Sequence, residues 1–402
     1  MTGRGRSLLL ALLTLAGSAR AADWPQFRGP GMRGVSAETG LPDRWGPAEN
    51  VAWKAALPGR GVSSPIVVGD RIFVTACSGL RQTRLHVMCF AADRGEKLWE
   101  RQLWATGPTN CHPKTCVAGP TPAADGERVF ALFATGDLGC TDHAGNVRWL
   151  RALQLDYPLM ANFVGRAASP VLHGGTLIVP MESQGASFLL GIDAATGRNR
   201  WRVERPLENN YTSPLLVRQG DRTDLVVQAL GGLTGYDPET GTRRWEFTDQ
   251  GIMMVVSPAA ADGLILGVGK EMVALRLTDV SPPEFAWRSA RLATGTPTPL
   301  VAAGRVYVVK DGGILVCGDL RTGKEVWSLR LHGTYSASPV LADGKLYLVN
   351  EDGETTVVRP GDRPEQIATN ALGEVMLASP AIARGCIFLR SDKHLFCIGA
   401  SK

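Results

Sequence analysis

The residues of widest chemical range in this 402-residue chain are six histidines, eight cysteines and one Gly-x4-Gly-Lys run. His86, His112, His143, His173, His332 and His394 are scattered, with no His-x3-His or His-Glu-x2-His spacing. Zinc chemistry is therefore not indicated, and no metal ligand is assigned. Gly318 to Lys324 has the glycine and lysine spacing of a phosphate loop, but Glu325 stands where a magnesium-binding Ser or Thr would be, and no helical pattern follows. No Gly-x-Ser-x-Gly elbow occurs, so no catalytic residue is assigned. What remains is a dispersed polar set: Arg60, Asn110, His112, Lys114, Asn162, Arg166, Asn210, Tyr211, His332 and Tyr335. Amides, cations and phenols suit a polar or anionic ligand, provided that the fold brings them to one place.

A repeat supplies the means. Ser/Thr-Pro dipeptides recur at Pro65, Pro122, Pro170, Pro214, Pro258, Pro299, Pro339 and Pro380, at spacings of 57, 48, 44, 44, 41, 40 and 41 residues. Each segment runs through short apolar stretches, an Asp-Gly or Gly-rich turn, a Thr-Gly turn and a closing Trp. This is the length and pattern of a four-stranded propeller blade. The closing Trp residues are Trp99, Trp149, Trp201, Trp245, Trp287 and Trp327; the seventh segment lacks one. The eighth segment ends too soon for a fourth strand, and Val51-Ala52-Trp53-Lys54 has the missing pattern. The chain thus reads as an all-β, eight-bladed propeller of antiparallel blades whose last blade is closed by an N-terminal strand. A seven-bladed ring or an open β-solenoid is the alternative. The loops that precede the eight prolines surround one mouth of the channel and carry the polar set. Their main carboxylates are Glu208 and Glu374, and a channel plugged by Met253-Met254 and Met376 would oppose a cofactor there.

The first 21 residues carry Arg4 and Arg6, an apolar stretch from Leu8 to Ala16, and Ala19-Arg20-Ala21, the layout of an export signal cleaved after Ala21. Without Arg4, Arg6 and Arg20 the formal charge falls from +5 to about +2, so the basic excess is mostly address label. No Lys/Arg run tracks phosphates, which excludes a nucleic-acid reading. The organisation expected is a signal at residues 1–21, an extension packed on the ring at 22–50, and the propeller at 51–402. Localisation is periplasmic or secreted, without a transmembrane segment. Cys89, Cys140, Cys317 and Cys397 sit nine or ten residues before a Trp or in the same setting and read as small buried fillers. Cys111 and Cys116 bracket a short loop and are the disulfide candidate; a Cys386 to Cys397 link stays open.

The Ser-Pro-Val-Val, Gly-Asp-Arg-Ile-Phe-Val, Asp-Ala-x-Thr-Gly and closing-Trp pattern, seen at Ser64 to Val74, Ser169 to Trp201 and Ser338 to Leu348, resembles the PQQ-like β-propeller repeat family over roughly residues 51–400. The leader from Asp23 to Pro30 and the His112 to Thr115 segment look like exported, planctomycete-type members. The resemblance implies one of two poles. Quinoprotein dehydrogenases hold pyrroloquinoline quinone (PQQ) and calcium with an Asp base, a Glu, an Asn and a vicinal Cys pair; this chain has no adjacent Cys pair and few mouth carboxylates. BamB-like propellers are scaffold subunits that bind partners through exposed loops. The reading favoured is a non-catalytic, exported, monomeric binding or scaffolding module with a protein partner or a small polar ligand at the channel mouth. The alternatives are a PQQ-dependent oxidoreductase with a reduced site and a glycan-binding propeller using Trp24, Trp45 or Trp104.

Overall fold

The computed structural model describes residues 23–278 and 282–399; the segment with the export-signal pattern lies outside the described residues. Eight separate four-stranded antiparallel sheets follow one another around a ring. Blade 1 comprises Ile66–Val68, Arg71–Ser78, Arg84–Ala91 and Lys97–Trp104, from the axis outward. Blades 2 to 7 repeat this order, beginning at Ala123, Val171, Leu215, Ala259, Leu300 and Val340. Blade 8 takes Ala381–Ala383, Cys386–Arg390 and His394–Ile398 from the C-terminal end, and its outermost strand is Val51–Ala56. The closing strand read from the sequence is therefore present, with Trp53 opposite Cys397. Such closure leaves no long unpaired edge.

The burial pattern explains why short strands suffice. The second and third strands of each blade are almost wholly buried, as in Arg128–Leu132 and Asp137–Asp142 of blade 2, whereas outermost strands such as Asn199–Glu204 alternate between half-buried and exposed residues. Inner strands packed on both faces read as continuous apolar runs, and outer strands facing water on one side read as alternating ones. The Gly318 to Lys324 run is the hairpin between Ile314–Asp319 and Glu325–Arg330 of blade 6.

The filler cysteines stand across the ladder from an indole: Cys89 opposite Trp99, Cys140 opposite Trp149, and Cys317 opposite Trp327. Gly191 takes the same place opposite Trp201, where an added Cβ would lie 2.1 Å from the indole ring. Four of the six closing indoles, Trp99, Trp149, Trp287 and Trp327, donate to a carbonyl of the next blade, whereas Trp245 Nε1 donates to Asp224 of its own blade and Trp201 Nε1 has no partner among the described residues. Trp99 Nε1 donates to the His143 carbonyl of blade 2 at 2.9 Å, and Trp327 Nε1 donates to the Gly361 carbonyl of blade 7 at 3.2 Å. Where it reaches across, the closing Trp is thus a lock between neighbours, satisfying a buried polar handle while filling the seam.

The chain from Asp23 onward runs across the ring before the closing strand begins. Trp24 bridges Val67 of blade 1, and the Pro25 carbonyl accepts the Ala124 amide of blade 2 at 2.8 Å. Arg28 Nη2 donates to the Pro299 carbonyl of blade 6 at 2.8 Å, Met32 packs on Leu215 and Val217 of blade 4, and Val35 bridges Leu341 of blade 7. Within a dozen residues the backbone touches blades on opposite sides, so it crosses the axis. The backbone contacts fall at Val67, Ala124 and Leu341, within or at the end of the innermost strands, while the Arg28 side chain reaches up to the repeat proline Pro299 itself.

Candidate functional site

The channel wall is made by the repeat dipeptides themselves. The amide of Ser64 donates to the Thr121 hydroxyl at 2.9 Å, Thr121 to Ser169 at 3.0 Å, Ser169 to Ser213 at 2.9 Å and Ser213 to Ser257 at 2.9 Å. Thr298 donates in the same sense to Ser338 at 3.1 Å, and Ser338 to Ser379 at 2.9 Å. Six of the eight blades therefore pass one hydrogen bond to the next around the axis. The proline that follows has no donor, so the preceding amide is the last one of the entering loop, and the neighbour's hydroxyl satisfies it.

This ring bounds a cavity of about 390 Å³ whose lining also takes Val62, Thr115, Val164, Tyr211, Val255, Thr296, Ser336 and Leu377 from the eight mouth connections. Phe27 of the crossing segment lines it at the distal end. The wall is hydroxylic and apolar. Its charged edge comes from the blade 1 to blade 2 connection, where His112 and Lys114 line the opening. That connection forms a strap over the mouth. The His112 amide donates to the Val164 carbonyl at 2.8 Å, Arg60 Nη2 donates to the Pro113 carbonyl at 2.6 Å, and Lys114 Nζ pairs with Glu351 of blade 7 at 2.8 Å. Ser336 Oγ donates to the same Glu351 oxygen at 2.7 Å. Burial pushes the Glu351 carboxyl up, but Lys114 and Ser336 outweigh it and leave the group below the ordinary range.

Of the ten residues read from the sequence, His112, Lys114 and Tyr211 line the cavity. Burial raises the Tyr211 phenol, which keeps it neutral. Arg60 ties the strap to Asp392 at 3.3 Å, and Asn110 is exposed beside it. The others are used within the loops. Asn162 spans the Pro108 carbonyl and the Gly165 amide, both at 2.8 Å. Arg166 is buried, donates to the carbonyls of Ala134 and Ala161, and is lowered to about 10 by that burial. Asn210 joins a buried group in which Arg205 pairs with Glu182 at 2.8 Å. His332 is exposed against Glu354 at 2.8 Å, and Tyr335 is buried in the core between blades 6 and 7.

Several finer expectations are corrected. Met376 is core, and the cavity lining includes neither Met253 nor Met254; Val255 and Leu377 occupy those positions instead. Glu374 points away to Lys54, Ser391 and His394 rather than to the channel. Trp24 and Trp45 are buried at 1% and 4% exposure, so neither can stack on a sugar; Trp104 alone of the three is exposed, with the Arg84 guanidinium over its ring. Cys111 and Cys116 are separate thiols, and Cys77 Sγ donates to the Arg60 carbonyl at 3.3 Å and to the Gln82 side-chain oxygen at 3.1 Å.

The two ends of the ring differ in surface chemistry. Leu80, Trp104, Leu155, Leu159, Phe163, Leu207, Leu230, Val255 and Val375 are exposed, and all lie in connections, hairpins or strand ends at the mouth. The remaining exposed large apolar residues, such as Phe285, lie on outermost strands, and among the described residues none lies in a loop at the other end. Leu155, Leu159 and Phe163 crowd one segment, the connection after blade 2, at 67%, 79% and 72% exposure. Apolar exposure gathered on one face marks a contact surface.

Comparison with solved structures places the fold. The crystal structure of BamB from Moraxella catarrhalis is similar at a TM-score of 0.61 and 15% identity, covering 86% of this chain and 96% of that one. Quinohemoprotein alcohol dehydrogenase from Comamonas testosteroni is similar at a TM-score of 0.72 and 14% identity, covering 96% and 82%. At these identities the likeness is one of fold. A calcium-held quinone needs several oxygen ligands with carboxylates among them. Among the described residues no group of three or more His, Cys, Asp or Glu is arranged to hold a metal, and the cavity wall offers neutral hydroxyls. The residues present do not fit that cofactor.

In sequence, outer membrane protein assembly factor BamB of Marinobacter adhaerens is 35% identical over 104 residues, which is 26% of this chain and 26% of that relative, so the aligned stretch spans about a quarter of its length. The family model described as outer membrane protein assembly factor BamB matches residues 48–179, 158–282 and 275–363. Those three spans run without a gap from the closing strand into blade 7, and by them the chain belongs to the family of outer membrane protein assembly factor BamB.

Proposed function

We propose that this protein is an exported, non-catalytic binding module that docks a protein partner on the mouth face, in the service of outer membrane protein assembly. The observation that carries this reading is the one-sided apolar surface, with Leu155, Leu159 and Phe163 prominent beside the strap. Exposed aromatic and aliphatic anchors around a rigid rim are what a protein interface needs. Family membership supports the class of partner, and the printed role of the relatives supports an envelope location. A cavity walled by neutral hydroxyls and without a cluster of carboxylates is poorly suited to general acid and base work.

The test is site-specific photocrosslinking in the host cell, with the probe at position 163 and, as control, at Phe285 on an outermost strand. A discrete adduct from position 163 that is lost on Leu159→Glu, with none from position 285, supports the module. No adduct from position 163 overturns the docking face. Saturable, calcium-dependent binding of pyrroloquinoline quinone with alcohol turnover overturns the non-catalytic reading.

A further inference from the structure

The hydroxyl ring around the channel is open at two places. Between blades 5 and 6 the Ser257 amide does not bond to the Thr298 hydroxyl, and between blades 8 and 1 the Ser379 amide does not bond to the Ser64 hydroxyl. Among the described residues these two amides and two hydroxyls have no partner. All four residues line the cup, and Ser64 and Thr298 are buried at 2% and 4% exposure, so the cup is where their hydroxyls must be satisfied. At the six closed positions each hydroxyl accepts an amide and keeps its own proton to donate, and among the described residues no acceptor takes it. An oxygen that accepts one hydrogen bond donates more strongly in the next. The wall thus turns donors inward.

A second observation concerns charge behind that wall. Among the described residues that line the cup there is no Asp or Glu. Three arginines are buried around it, and no carboxylate forms an ion pair with any of them among the described residues. Arg28 Nη1 donates to the Thr298 carbonyl at 3.2 Å, behind the first opening. Arg390 Nη1 donates to the Ser63 carbonyl at 3.0 Å and to the Ser63 hydroxyl at 2.5 Å, behind the second. Arg166 holds the Ala134 carbonyl at 2.8 Å, and its Nε, like Nε and Nη2 of Arg390, is unmet. A buried guanidinium does not discharge, so the cup carries a positive potential that water screens poorly. At the rim, His112 Nδ1 accepts the Lys114 amide at 3.2 Å, which leaves Nε2 to carry the proton and donate. Apolar surface completes the site: Val255 and Leu377 each stand two residues ahead of an open serine, with Phe27 below.

We propose that the cup is a metal-free binding site for a small organic carboxylate. The carboxylate oxygens take the amide and hydroxyl left unpaired at the openings of the ring, and the apolar body of the ligand lies against Val255, Leu377 and Phe27. Charge comes from Arg28 and Arg390 behind the wall, so no bridging cation is needed. A wall of donors without carboxylates accepts an anion and rejects a cation, and the neutral isostere of the acid loses the attraction while keeping the shape. A volume of about 390 Å³ suits an acid with one or two rings. The site stands independently of whether a protein docks on the rim.

The purified protein is titrated calorimetrically, in EDTA, with benzoate, 2-naphthoate and the neutral 2-naphthamide. The expected result is saturable binding of a carboxylate, one molecule per chain, with the amide weaker by about ten-fold or more. The double variant Ser64→Ala/Thr298→Val should lose about ten-fold in carboxylate affinity and keep its unfolding midpoint, because neither hydroxyl bonds to a protein atom. Leu159→Glu on the rim, which breaks the docking face, should leave carboxylate binding unchanged. Equal binding of 2-naphthamide overturns the anion site. Unchanged affinity in the double variant overturns the placement at the openings, and loss of binding in Leu159→Glu moves it to the rim. No saturable binding of either carboxylate at about 1 mM overturns the site altogether.

Discussion

Trp149 of blade 2 lies so close against Gly197 of blade 3 that a Cβ added to that glycine would sit 2.7 Å from the indole, and its Nε1 donates to the Ala194 carbonyl in the same turn at 3.1 Å. Gly197 also has φ of +73°, a backbone state that L side chains adopt only at a cost. Gly197→Ala is expected to destabilise by about 3 kcal/mol, the sum of left-handed strain and lost seam packing. Gly263 has φ of +76° with open space around it, so Gly263→Ala should cost only about 1 kcal/mol. Denaturant unfolding of both variants measures the difference, which is the contribution of the seam.

The hydroxyl ring makes a second prediction. Ser213→Ala removes the acceptor for the Ser169 amide and leaves that buried donor unmet, for an expected loss of about 1–3 kcal/mol. Ser213→Thr keeps the oxygen, and Thr121 and Thr298 hold the same place in other blades. It should lie within about 0.5 kcal/mol of the parent in equilibrium unfolding.

Two buried arginines should respond in opposite ways. Arg28 donates to the carbonyls of Met32, Thr298, Arg33 and Pro299, and its guanidinium is lowered to about 9 by burial. Arg28→Met strands those acceptors and loosens the crossing segment, for an expected loss of about 2–4 kcal/mol. Arg390 has unmet donors, so Arg390→Met should be neutral or stabilising by about 1 kcal/mol. Thermal unfolding of the reduced proteins checks both.

Acid should weaken the ring closure. Burial pushes the Glu374 carboxyl up, but hydrogen bonds from Ser391, Lys54 and His394 outweigh it and hold the group at about 2. A depressed carboxylate contributes fully above its unfolded value of about 4.3, and the contribution is lost as pH falls from there through the folded value. Glu374→Gln should therefore cost about 2 kcal/mol near neutrality and much less at about pH 3. Unfolding midpoints at the two pH values test the sign.

The repeat was legible because one dipeptide marks every blade, and the closing strand because Val51 to Lys54 carried a Trp in a pattern that the last segment lacked. The site was legible only in part. A polar residue in a loop can face the channel or satisfy the loop's own backbone, and its sequence does not say which. Arg166 and Asn162 went to carbonyls and amides of their own connections, as buried backbone requires. Glu351 escaped notice because it sits in the hairpin between second and third strands, which ends on the same face as the loops before the prolines. Phe27 reaches the channel only through the crossing segment, and the Ser/Thr hydroxyls act on partners a whole blade away.

The crossing segment gives the propeller a consequence beyond support. With Phe27 at its base the channel is a cup and not a conduit. A chain cannot be threaded through it, and whatever occupies it leaves by the way it came. Two occupants that reach into the cup must exclude each other, and the strap fastened by Lys114 and Glu351 stands over the rim they share.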